Sequence, residues 1–257
     1  MNPVFRLFAK EGRRGALGVL LAAGLLAGCR HDVLIMPAYD DYFPVVVGSY
    51  RTYAVADSTW VSGRATVANY QFRERVSEQF TDAAGKTAFR LVRSKRASAA
   101  AAWADDSAFV VQPLPRAVLL TRNNVRTVEL IYPARASKGW NYKAFTASPD
   151  TITSLTRYYG PSVAVPYTTP AVPGAPAKTY DNTVSTKTTL DGGAEEVNLI
   201  YQRGLRQVYA SSVGLVLRRR FSYNTFVTNQ DGSQTLTPGI VQSGQARRET
   251  LIESGTL

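Results

Sequence analysis

The chain has 257 residues, with 30 Lys plus Arg against 19 Asp plus Glu, a net charge of +11, one Cys and one His. A single Cys excludes an internal disulfide, so the fold must be held by packing, and a single His leaves no histidine set for a zinc site or a proton relay. With 45% hydrophobic and 19% charged residues, the chain is globular in composition and long enough to bury a full core.

The first residues differ from the rest. Arg6, Lys10, Arg13 and Arg14 form a positive lead, Gly15 to Gly28 is an apolar run, and Leu26-Ala27-Gly28-Cys29 closes it. A stable transmembrane helix needs about 20 apolar residues, and this run of about 14 carries several Gly, so a processed signal peptide over residues 1–28 is expected. The Leu-Ala-Gly-Cys stretch resembles the lipobox of bacterial lipoproteins. That resemblance implies cleavage between Gly28 and Cys29, then a covalent diacylglycerol on the Cys29 thiol and an N-acyl chain on its new amino terminus, with no further cofactor. The alternative is an ordinary cleaved signal followed by a free thiol, which does not account for the only Cys standing at this position. Buried acyl chains contribute about 0.8 kcal/mol per CH₂, enough with two or three chains to anchor a domain stably. Arg30 follows Cys29, where some lipoproteins carry an Asp for inner-membrane retention, so the expected location leans towards the outer membrane.

Removing residues 1–28 takes away four cations and one anion, and leaves 26 Lys plus Arg against 18 Asp plus Glu, a net of +8. Such a domain suits anionic lipid head groups or phosphates, or simply carries a solvated basic surface. Nucleic acid, the other usual partner of this charge, is set aside by the lipobox.

Residues 29–42 read as a tether or a first edge strand, with Val33 to Met36 stopped by Pro37. The domain is expected over 43–257 and opens with a strand from Phe43 to Val55 bent at Gly48. Between Tyr70 and Thr81 the alternation is clear: Tyr70, Phe72, Glu74, Val76, Glu78 and Phe80 on one face, Gln71, Arg73, Arg75, Ser77, Gln79 and Thr81 on the other. Period two means a half-buried antiparallel strand. Asp82 to Gly85 is a turn signal and Lys86 to Arg96 returns as a hairpin. Ala97 to Ala104 is either a helical turn or an Ala-rich loop. Phe109 to Val111, Ala117 to Leu120 and Val125 to Tyr132 are further strands. Repeated Pro over 161–176 removes ladder donors and predicts an extended surface loop. Thr179 to Asp191 and Glu196 to Ala210 resume as strands around the Asp191-Gly192-Gly193 turn, Val213 to Thr228 leads to a turn at Asn229 to Gly232, and Gln245 to Ile252 ends the domain. An aromatic-Pro, Gly, aromatic pattern occurs at Phe43-Pro44 and again at Tyr132-Pro133, from two related halves or from chance.

Two stretches, Tyr42 to Tyr53 and Tyr209 to Val216, are similar to the signature motifs of a broad group of uncharacterised bacterial lipoproteins, an aromatic-Phe-Pro start and a late Tyr-Ala-x-Gly-Val-Gly-Leu-Val. The chain departs from them with Tyr50 and Arg51 where Trp is usual and Ser211-Ser212 where a Pro-Gly-like turn is usual. The resemblance covers roughly 25 residues. It implies a β-rich envelope domain and brings no catalytic residue.

Little else points to chemistry. His31 lies beside the anchor, and no nucleophile elbow, phosphate loop or dinucleotide fingerprint is present. The pairs Asp40-Asp41, Asp105-Asp106 and Glu195-Glu196 face opposite ways if extended, and Asp191-Gly192 and Asp231-Gly232 lack a calcium-ligand series, so no metal site is expected. In Leu215 to Tyr223, Arg219 shares the apolar face while Arg218 and Arg220 point to the other, as a candidate anion patch or as charge protecting a strand edge.

The sequence therefore predicts an all-β fold, an antiparallel meander forming a curved sheet, sandwich or half-barrel, with little helix beyond the signal peptide. The expected role is non-catalytic: a lipid-anchored envelope module for an apolar or anionic ligand or a protein partner. The alternative is a carboxylate-dependent hydrolase acting on envelope glycan or lipid. Substituting Cys29→Ser is expected to move the protein from the membrane fraction to the soluble fraction on cell fractionation; continued membrane association would sink the lipobox reading.

Overall fold

The computed structural model describes residues 41–145, 156–188 and 196–257. The lipobox, His31, most of the tether and the Asp191 to Gly193 turn lie outside the described residues. Runs rich in β-branched and aromatic residues alternate with Gly, Pro, Asn and Asp turns, and among the described residues every regular element is a strand. They are β1 (Ser49–Val61), β2 (Arg64–Thr81), β3 (Thr87–Arg96), β4 (Ala104–Leu114), β5 (Ala117–Arg122), β6 (Val125–Ile131), β7 (Gly139–Trp140) and β8 (Arg157–Thr169). The chain continues through β9 (Lys178–Thr188), β10 (Glu196–Val197), β11 (Tyr201–Ala210), β12 (Gly214–Asn224), β13 (Phe226–Thr228), β14 (Gln234–Leu236) and β15 (Ser243–Thr256).

Thirteen of these strands make one antiparallel sheet in the order β6-β5-β4-β3-β2-β1-β15-β12-β11-β9-β8-β7, with β10 added on β11; β13 and β14 form a separate hairpin. The order is that of two six-strand meanders joined along β1 and β15. The two aromatic-Pro steps precede β1 and β7, the first strands of the two meanders. The free ends of the sheet meet, so that it is nearly closed into a barrel. Val128 N–H on β6 donates to the Tyr142 carbonyl at 2.9 Å, Trp140 Nε1 donates to the Val128 carbonyl at 2.9 Å, and the Tyr159 hydroxyl donates to the Ile131 carbonyl at 2.6 Å. This matches the expected meander, at its most closed.

One face of the sheet carries Tyr53, Val55, Phe72, Val76, Leu91, Phe109, Val111, Leu120, Leu130 and Tyr209, all buried in one apolar core. Each such side chain contributes about 1.5–3 kcal/mol when fully removed from water. The Asp82 to Gly85 turn is as expected: the Asp82 carboxylate accepts from the backbone of Ala84 and Lys86 at 2.9 and 2.8 Å, which fixes the β2–β3 hairpin.

Four sequence expectations are corrected. Residues Phe43 to Gly48 are not strand; Gly48, at φ +86°, donates to the Val76 carbonyl and Ser49 N–H turns back on Val46, so β1 starts only at Ser49. Tyr42 is not tether but core, 2% exposed, with its hydroxyl donating to Asn182 at 2.6 Å. The β2 alternation holds as far as Val76; a bulge before Glu78 then shifts the register, and Glu78 and Phe80 pair with Arg90 and Ala88 on the other face. Of the two alternatives for Ala97 to Ala104 the loop holds: Ala97 to Trp103 is a turn with no helix, because so short a run cannot offset helix nucleation and Arg73 and Arg96 stack on Trp103 at 4.6 and 4.2 Å. The Pro-rich stretch is largely strand: β8 runs through Pro161 and Pro166 and pairs with β9, with register shifts at Tyr159/Val163, Val163/Val165 and Val165/Tyr167. Both prolines fall at the skipped positions, where no ladder donor is required.

Gly244 on β15 has φ +144°, and a Cβ there would lie 2.3 Å from the Ser222 carbonyl oxygen of β12. Gly85 is also left-handed, at φ +73°, but has nothing within 4 Å. Urea denaturation of Gly244→Ala is expected to show a loss of about 2–4 kcal/mol, because backbone must move, against about 1 kcal/mol for Gly85→Ala, which bears only the backbone strain.

Candidate ligand-binding face

The barrel interior holds charge as well as apolar side chains. On neighbouring strands, Glu74 faces Arg93, and Arg218 faces Glu249. Arg93 donates to Glu74; Arg218 Nη1 lies 2.7 Å from Glu249 and 3.7 Å from Glu74; and Arg93 reaches to 3.9 Å of Glu249. The four groups alternate in sign as a closed quartet. A second cluster spans the seam of the barrel. Arg157 of β8, 0% exposed, donates through Nη1 to the Glu129 carboxylate of β6 at 2.8 Å and to the Glu129 carbonyl at 3.0 Å, and through Nε to Thr188 at 2.7 Å. The Tyr209 hydroxyl and Gln207 Nε2 also point at Glu129, at 3.4 and 3.5 Å.

Burial alone pushes the Glu74 and Glu129 carboxyls up, but their arginines outweigh it and hold both down to about 2. For Arg218 burial disfavours the charge, and Glu249 with Glu74 nevertheless holds its pKa above the ordinary value. Arg122 of β5 lies between the clusters, its guanidinium 4.4 Å from the Phe109 ring centroid and its Nε buried without a hydrogen bond. Burial and the nearby Arg218 and Arg93 bring it down to about 10. The space enclosed by Arg51, Tyr53, Glu74, Arg122, Glu129 and Arg218 is about 10 Å³, the room of about one water. A general acid at neutral pH needs a carboxyl raised towards that pH, and these are lowered and engaged.

Of the sequence pairs, Asp40 and Glu195 lie outside the described residues, and Asp41, whose carboxyl is pushed up by partial burial, stands at the surface before β1. Asp105 is bonded to Ser94 and Arg75 at 2.6 and 3.1 Å, Asp106 to Ser107 at 3.0 Å, and Glu196 to Asn198 at 2.9 Å. The Asp231 carboxylate accepts from Ser233 N–H and Oγ, which is turn chemistry. Among the described residues no three His, Cys, Asp or Glu cluster to hold a metal.

The other face of the same strands is different. Arg219 and Arg248 are the sequence neighbours of Arg218 and Glu249, so the pleat turns them outward. Arg206, Arg219 and Arg248 stand in register on β11, β12 and β15. Like charges directly opposite on adjacent strands are destabilising. Arg219 and Arg248 are exposed, and among the described residues neither has a carboxylate partner. The file is underlain by aromatic rings: Arg206 and Arg219 lie 5.6 and 5.0 Å from the Phe221 centroid, and Arg219 Nη2 donates to the Tyr223 hydroxyl at 2.8 Å. Next to Arg248, in register with Ala56 and Asn69, an open groove of about 330 Å³ runs over Ala54, Ala56, Gln71 and the Ala97 to Ala99 turn. Val172, Pro173 and Gly174, between β8 and β9, form its other wall.

Of the residues singled out in the sequence, Gly28 and Cys29 lie outside the described residues. Arg218 does sit opposite Arg219, as the alternation requires, but it faces the interior and is consumed by Glu249 and Glu74, so it cannot serve an exposed anion patch. Arg220 shares its face and is exposed. The outward cations that face each other across β12 and β15 are Arg219 and Arg248, whose meeting depends on a register that no local pattern encodes. Comparison with protein-family models and with curated proteins gives no match.

The lowered carboxyls make stability pH-dependent. The unfolded chain binds protons at the ordinary value of 4.5, the folded chain only near 2, so the stability these groups contribute is complete above about pH 5 and is lost as pH falls towards 2. Glu129→Gln is expected to cost about 3–5 kcal/mol at pH 7 by leaving Arg157 buried and unpaired, and to flatten the acid limb of a urea-midpoint profile between pH 5 and 2. An unchanged acid limb would remove Glu129 from this role.

Proposed function

We propose that the chain is a non-catalytic, lipid-anchored module of the cell envelope, held through Cys29, which binds an anionic envelope ligand on the outside of its barrel. The observation that carries this reading is the contrast between the two faces of β12 and β15. Inward, Arg218 and Glu249 are spent on each other; outward, Arg219 and Arg248 stand opposed, and among the described residues no carboxylate neutralises them. An anion laid across that file relieves the like-charge repulsion and gains charge-assisted hydrogen bonds from planar guanidinium donors. The domain's basic balance adds a favourable long-range field. The lipid chains on Cys29 would keep the module at the surface where such anions are concentrated, with the outer membrane favoured by Arg30 following the Cys. The hydrolase reading loses support because Glu74, Glu129 and Glu249 are each bound to arginine.

Native mass spectrometry of the full-length protein extracted from envelopes is expected to show an anionic adduct, reduced at least tenfold in the Arg219→Glu/Arg248→Glu double variant. Recovery of bare protein, of a protein partner in place of the adduct, or of an adduct untouched by the double variant would overturn the reading.

A further inference from the structure

The binding reading leaves the ligand's body unspecified, and the groove beside Arg248 supplies it. Its walls come from three distant parts of the chain. Ala54 and Ala56 give a floor of methyl groups on the outer face of β1, the Ala97 to Ala99 turn gives one side, and Val172, Pro173 and Gly174 give the other. At about 330 Å³ it lies at the lower end of small-molecule sites, which span about 300–1,000 Å³. The floor is narrow in size: two alanines stand where larger outward residues would fill the channel, and Asn69, Tyr70, Gln71 and Ser98 are the uncharged polar residues that line it. Arg248 lines the same groove, and its cross-strand neighbour Arg219 stands on the adjacent strand. The site is thus a largely apolar trough with one cation, Arg248, at its border and a second, Arg219, beside that on the adjacent strand.

We infer that this groove takes a free single-chain amphiphile with an anionic head, the chain lying between Ala56 and Val172 and the phosphate or carboxylate head on Arg248, with Arg219 next to it. This rests on the outward-binding reading above and sharpens it. A two-chain lipid in a bilayer does not fit a trough of this size, and a bare anion leaves the apolar walls uncovered. The charge complementarity selects the head, and the methyl-lined floor selects the tail.

Calorimetric titration of the full-length protein, solubilised in a nonionic detergent of bulky tail, tests this with dodecyl phosphate below its critical micelle concentration. Dodecyl maltoside carries the same tail with a neutral head, and inorganic phosphate carries the head alone. Dodecyl phosphate is expected to bind at one site at least tenfold more tightly than either. Arg248→Gln is expected to weaken it about tenfold, towards dodecyl maltoside. Ala56→Met, which fills the floor, is expected to weaken dodecyl phosphate at least tenfold while leaving inorganic phosphate unchanged. Ala99→Met, on an exposed turn, is expected to act in the same direction and serves if Ala56→Met does not fold. Equal binding of dodecyl maltoside would overturn the assignment of the head, and equal binding of inorganic phosphate the assignment of the tail. Binding to phosphatidylglycerol vesicles without binding to dodecyl phosphate would overturn the inference while preserving the outward anion site. Loss of all three, together with an adduct-free native spectrum, would overturn both.

Discussion

The structure depends on the closure of its sheet by Glu129 and Arg157. β7 has two residues, so the two ends of the sheet have little backbone ladder with which to hold each other. Side chains do that work instead. An ion pair removed from water forfeits several kcal/mol of hydration per ion and is stable only where geometry and hydrogen bonding recover it. Here Thr188, Gln207, Tyr209 and the Glu129 carbonyl complete the shell around the pair. The penalty for any other arrangement is then large: a shifted register at the seam would strand a carboxylate or a guanidinium among Leu130, Trp140 and Tyr159. The second quartet, Glu74, Arg93, Arg218 and Glu249, imposes a similar condition on β2, β3, β12 and β15.

Filling the interior with opposed charge has a consequence for the exterior. Strands alternate, so a charged residue committed inward leaves its neighbours to face outward, and Arg218 and Glu249 each have an arginine, Arg219 and Arg248, as one such neighbour. The interior row neutralises itself because arginine meets glutamate across the strands. The outer row cannot, because arginine meets arginine. The same register that satisfies the core therefore creates the unsatisfied surface, and the outward site is a by-product of how the inward one is built.

Much of the fold was legible because period-two patterns and turn residues act locally. The Asp82 to Gly85 hairpin and the alternation from Tyr70 to Val76 follow from adjacent residues alone, and Glu74 already stood on the apolar face, which is the signal of a buried partner. What escaped was set by register. The bulge at Ser77 moved Glu78 and Phe80 to the other face, and the irregular pairing of β8 let Pro161 and Pro166 sit inside a strand. For the site, alternation correctly separated Arg218 from Arg219, but which of the two meets a carboxylate depends on Glu249 lying opposite on β15. The groove was illegible for the same reason, since Ala56, Ala97 and Val172 are brought together only by the closed sheet.

The join between the two meanders has a kinetic meaning. Within each meander, strands pair mostly with neighbours in sequence, so those ladders close short loops and can form early. The β1–β15 ladder instead pairs Ser49 with Thr256 and Trp60 with Gly244, across almost the whole domain. Its formation must wait until both halves are ordered enough to present matching edges, which makes this ladder the slow step of folding. Until it forms, β1 and β15 are open edges carrying Tyr53, Val55 and Leu251, and it is in that interval that the chain is most exposed to pairing with another copy of itself.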